Sequence, residues 1–75
     1  MTKQQIQDYL IAYTVDRMTE YLIADYKLPI SEALRFIFNS DTYQKLSNTD
    51  NGLYEQSPSY MYELLDKEYH TGVAV

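Results

Sequence analysis

The chain has no cysteine, one histidine, two glycines and two prolines among 75 residues. Without cysteine no disulfide can staple the fold, and one histidine cannot complete a structural zinc site. With only Gly52 and Gly72, no glycine-rich phosphate loop can form. Basic residues are also scarce. Six Lys and Arg, scattered from Lys3 to Lys67, face eleven Asp and Glu, for a net charge of −5. Nucleic acids and anionic membranes attract proteins through clustered cations, so this balance argues against both as partners. The start, Met1-Thr2-Lys3-Gln4-Gln5, is polar, and no apolar run reaches membrane-spanning length. A cytoplasmic location is the expectation.

What is present suits a globular chain: 45% of the residues are apolar. The length predicts one domain over residues 1–75. A chain this short buries roughly 60% of its unfolded surface, so it is marginal by itself. Stability must come from apolar packing, capped helices or a partner subunit.

Thr2-Lys3-Gln4-Gln5 reads as a helix start with a capping box, Thr2 accepting from the third amide while Gln5 reaches back. Residues 5–26 contain neither Gly nor Pro. Ile6, Leu10, Tyr13, Tyr21 and Ala24 form one helical stripe; Ile11, Val15, Met18 and Leu22 form a second beside it. Asp8, Asp16, Thr19 and Glu20 fill the remaining arc. So wide an apolar arc predicts a long, central helix touching two neighbours or a second subunit.

Pro29 stops this helix near Tyr26 or Lys27. Ser31 is the expected cap of the next, with Glu32 in the first turn and Ile30, Ala33, Leu34 and Ile37 on one face. Downstream the apolar phase shifts to Phe36, Tyr43 and Leu46. That shift predicts a break at Asn39-Ser40, with Ser40 capping a short helix from Asp41 to about Leu46. Residues 47–52, Ser-Asn-Thr-Asp-Asn-Gly, read as a loop. Ser57-Pro58 starts the last helix, which runs to about His70 with Met61, Leu64, Leu65 and Tyr69 inward and Gly72 as its cap. Residues 71–75 are expected to be a loose tail. The sum is an all-α bundle of three to four helices. Leu10 and Leu64 are expected to cost about 2–5 kcal/mol each on truncation to alanine, and Phe36 much less in a monomer.

No catalytic, cofactor or metal set assembles from these residues. Asp66 and His70 lie one turn apart, but a triad needs a third converging group; a solvated histidine near a helix C-terminus is the simpler reading. Asp50-Asn51-Gly52 suggests a calcium loop, yet the final ligand position after Gly52 holds Pro58. The pairs Asp16/Glu20 and Glu63/Asp66 read as solvated faces. An enzyme is therefore not expected, and no small-molecule ligand is evident. The anomaly is tyrosine, with nine copies. A tyrosine ring buries much area while its hydroxyl seeks a partner, which suits core edges and interfaces alike. Tyr13, Tyr21, Phe36, Tyr43 and Tyr62 are the candidate partner interface.

Two stretches carry resemblances. The run Leu28-Pro29-Ile30-Ser31-Glu32-Ala33-Leu34-Arg35-Phe36-Ile37-Phe38 resembles the second helix of ribbon-helix-helix antitoxins. The basic strand with which those proteins read DNA has no counterpart upstream here, so DNA binding does not carry over. The C-terminal half, Ser40-Asp41-Thr42-Tyr43-Gln44-Lys45-Leu46 and then Gly52-Leu53-Tyr54-Glu55-Gln56-Ser57-Pro58-Ser59-Tyr60-Met61-Tyr62-Glu63-Leu64-Leu65, resembles a group of small, acidic, helical bacterial proteins of uncharacterised activity, some encoded near toxin genes. That resemblance implies a bacterial cytoplasmic protein with an antitoxin-like binding role, and transfers no catalytic residue. The expected function is a non-enzymatic interaction module that binds a protein partner, or itself, through an aromatic-rich helical surface. The alternative is a transcriptional regulator reading DNA with residues 31–46, Arg35 and Lys45 contacting phosphate.

Overall fold

The computed structural model describes residues 1–72, and no strand occurs among them. The fold is all-α. It comprises α1 (Lys3–Tyr26), α2 (Ile30–Phe38), α3 (Asp41–Ser47) and α4 (Pro58–Thr71), with two 3-10 turns, Thr49–Asn51 and Leu53–Glu55, between the last two helices. The longest dimension, 36 Å, matches α1 itself: 24 residues at about 1.5 Å per residue. Helices α2 and α4 both pack along α1, and α3 bridges α2 and α4. No helix among the described residues is long and apolar enough to cross a membrane.

Local chemistry accounts for most boundaries. The Thr2–Gln5 capping box is formed in both directions. Ser40 accepts from the Tyr43 amide and Ser57 from the Tyr60 amide, so each caps its helix as the sequence predicts. Gly52 and Gly72 take the left-handed conformation at φ 73° and 75°. The polar loop is more ordered than a bare loop. Asn48 caps the first 3-10 turn, and Asn51 bonds both the Lys45 carbonyl and the Leu53 amide.

Helix α1 ends at Tyr26, as the sequence predicts, and its cap Lys27 is a non-glycine residue at φ 58°; a side chain there is strained, and no local signal announces it. Other boundaries differ from the sequence reading. Helix α2 starts at Ile30 on a Pro29 cap without a side-chain bond, so Ser31 lies inside the first turn. Pro29 already has extended geometry, and its carbonyl receives the Glu32 and Ala33 amides at 3.0 Å each. Thr71 belongs to α4, so the tail does not begin at 71; residues 73–75 lie outside the described residues.

The core is Val15, Met18, Leu22, Ala33, Ile37, Leu46, Tyr54, Met61 and Leu65. Of the two predicted stripes of α1 only the second reaches the core, through Val15, Met18 and Leu22, while its first member Ile11 is half-buried. Ile6, Tyr13 and Ala24 are exposed, and Leu10 and Tyr21 half-buried, because α2 and α4 cover a single arc of the rod. Thr19, assigned to the polar arc, is buried; its hydroxyl donates to the Val15 carbonyl at 2.7 Å. Ile30 is exposed, since only Ala33 and Ile37 of its helix are buried against the rest.

Candidate binding groove

The break between α2 and α3 borders an open concavity. Ser40 ends one helix and caps the next, bonding the Ile37 carbonyl and the Tyr43 amide from a buried position. The chain therefore turns sharply and leaves a corner standing off α1. Phe38 at the end of α2 and Tyr43 on α3 meet edge to face, ring centroids 5.0 Å apart, and form one wall. The other wall is α1, through Ile11, Ala12 and Val15, flanked by Asp8 and Asp16. Between them lies an open trough of about 430 Å³. Phe38 is half exposed there, at 50%. No Lys or Arg lines the trough, and among the described residues Asp8 and Asp16 make no hydrogen bond or ion pair within the chain.

The five predicted interface residues do not share one patch. Tyr43 lines the trough. Tyr13 is exposed outside the trough lining and stacks with Tyr9 at 6.5 Å, beside exposed Ile6. Tyr21 tilts against Tyr62 at 5.0 Å, and the Tyr62 hydroxyl donates to Asp25 at 2.6 Å, so this pair seals the α1–α4 seam. Phe36 meets the Tyr69 ring edge-on at 5.1 Å, and Tyr69 stacks on Tyr26 at 4.4 Å. Much of the tyrosine surplus is therefore spent within the chain, at the edges of the core.

A second constellation lies at the far end of α1. The Tyr26 hydroxyl donates to Asp66 and lies 2.6 Å from His70 Nε2. His70 Nε2 is 3.6 Å from the same Asp66 oxygen. The histidine is solvated, as its position suggests, yet tied to α1 through a tyrosine 44 residues away that no helical spacing could reveal. The bond to Asp66, with burial behind it, pushes the Tyr26 hydroxyl up to about 12. A phenol held protonated is a poor nucleophile or base near neutrality, so the cluster reads as a clasp between α1 and α4. Tyr62 is likewise raised, by burial and then by its bond to Asp25.

Raised folded-state values fix the sign of an alkaline effect. Stability from the protonated Tyr26 hydroxyl is fully present below about pH 10, its unfolded range, and is lost as pH rises through about 12. In an ultraviolet titration of the folded chain, one late-ionising tyrosine is expected to vanish in Tyr26→Phe. An unchanged late step in that variant would show that Tyr26 is not the group held back.

Sequence reasoning missed Glu68 altogether. It lies on α4, 8% exposed, and its carboxylate receives the Asp41 amide (2.9 Å), the Thr42 amide (3.0 Å) and the Thr42 hydroxyl (2.7 Å). Burial alone would raise its pKa. The Thr42 hydroxyl, the two amides and the charge of Lys45 outweigh burial and hold it below the usual carboxylate value. Its partners lie 26 and 27 residues upstream, beyond any periodicity.

No protein-family model, curated protein or solved structure matches the chain.

Proposed function

We propose that this chain is a non-enzymatic protein-interaction module that binds through the trough between α1 and the α2–α3 corner. The observation that carries the reading is an open, aromatic-walled space of about 430 Å³. Among the described residues no buried side-chain polar atom lacks a partner. A small fold that satisfies its interior and still leaves Phe38 and Tyr43 around an unfilled space has the form of a recognition surface. In an antitoxin-like version, suggested by the resemblance of the C-terminal half, the acidic chain covers a basic cleft on a bacterial toxin in the cytoplasm.

Self-association is a second reading, favoured by the exposed stripe Ile6, Tyr9 and Tyr13 on α1, outside the trough lining. Residues 31–46 are less suited to reading DNA. Two helices share that stretch, and the amides opening α3, where a phosphate would sit, already hold Glu68.

Affinity capture from bacterial lysate tests the module, with Ala12→Trp as the groove-filled control. Ala12 is exposed, so the variant is expected to fold. The expected outcome is one stoichiometric partner held by the natural chain and lost by the variant. A partner held equally by both, or none at all from a monomeric chain, would reject the module.

A further inference from the structure

We infer that the trough takes a cationic amphipathic helix of another protein, with one large apolar side chain seated between Phe38, Tyr43 and Val15 and two basic side chains answering Asp8 and Asp16. This deepens the interaction-module reading and rests on it. The charge pattern selects the occupant. The apolar floor is bracketed by two carboxylates on one helix wall, and no cation lies among the lining residues. Both carboxylates are unpaired within the described chain. A free carboxylate beside an apolar trough attracts a cation that can lay its aliphatic stem on the apolar wall, as Lys and Arg do.

Spacing sharpens the choice. Asp8 and Asp16 are two turns apart, about 12 Å along α1. A partner helix running beside α1 rises at the same rate. It meets both carboxylates when its two cations are about seven or eight residues apart. The residue midway between them, on the same face, then drops into the trough. The trough volume of about 430 Å³ accommodates an aromatic anchor with its flanking methylenes. Nucleic acid is a poor occupant of an apolar trough flanked by carboxylates on a chain of net charge −5. A second copy would bring that same excess of negative charge to the trough.

The test uses the full chain and a designed helical peptide of about fifteen residues. It carries one Trp at its centre and a Lys one turn to either side. The chain has no tryptophan, so indole emission reports the peptide alone. The expected result is a blue-shifted, saturable signal that weakens with salt. The double variant Asp8→Asn/Asp16→Asn should bind about tenfold more weakly with an unchanged melting curve. Ala12→Trp should abolish the signal, and a peptide with Glu in place of both Lys should not bind.

Equal binding by the Asn double variant, or by the Glu peptide, overturns the cationic-helix assignment. So does a concentration-dependent dimer of the natural chain that Ala12→Trp dissolves while the peptide stays unbound. The assignment fails alone if lysate capture yields a groove-dependent partner without such a helix. If nothing depends on the groove in either experiment, the interaction-module reading fails with it.

Discussion

Glu68→Ala is expected to destabilise the fold by about 3 kcal/mol or more, since orphaning a buried donor costs about 1–3 kcal/mol and charged acceptors stand at the upper end. Three donors depend on this carboxylate: the amides of Asp41 and Thr42 and the Thr42 hydroxyl. Thr42 is 1% exposed, so water cannot replace the lost oxygens there. The loss also falls on α3, a helix of seven residues. So short a helix is not stable by itself in water; it persists because α4 supplies an anion to its positive end. Glu68→Gln keeps one acceptor oxygen and the side-chain volume, so its cost should be smaller. Chemical denaturation of the three proteins checks the ranking. Equal stability of the alanine variant and the natural chain would show that the bonds to α3 contribute nothing net. Because the folded-state pKa is lowered, this contribution is present above the ordinary carboxylate range and is lost as pH falls through the folded value. The gap between natural chain and variant should therefore narrow in acid.

Leu65→Ala should cost about 4 kcal/mol, within the range for leucine truncation in rigid cores. Leu65 is 0% exposed and packs in the cluster that holds Leu22, Ile37 and Leu46. All four helices contribute to that cluster, so the space left behind cannot close by moving one loop. Leu10 and Leu64, expected to be equivalent from the pattern, are only half-buried and should each cost clearly less. Phe36 is also half-buried, but it meets the Tyr69 ring, so its truncation is not silent in the monomer. Thermal or denaturant melts order the four variants. A Leu10→Ala cost matching that of Leu65→Ala would contradict the burial order.

The same comparison marks what periodicity and caps can tell. The four helices, the break at Asn39–Ser40 and the Ser57-Pro58 start were legible, because each depends on residues within a turn of each other. Which face of α1 is buried was only half legible. Two adjacent stripes both looked apolar, and the choice between them depends on where α2 and α4 land. The left-handed Lys27 was not legible, since nothing local favours it over a glycine. Glu68 and the Tyr26–Asp66–His70 clasp were invisible for the same reason: their partners meet only after the chain has folded. The trough lies between α1 and the turn that joins α2 to α3. The phase shift at Phe36 hinted at that turn, but the space it opens could not be inferred from residue types.

Because α2 and α4 cover a single arc of α1, that helix carries two kinds of surface. Residues from Thr14 to Leu22 supply its fully buried positions and are bound by the demands of the interior. Asp8, Ala12 and Asp16 face outward, where a substitution usually shifts stability by no more than about 0.5 kcal/mol. Mutational drift can therefore rewrite one wall of the trough while the scaffold beneath stays intact. The chemistry of the trough is thus free to change without the chain first having to re-solve how to fold.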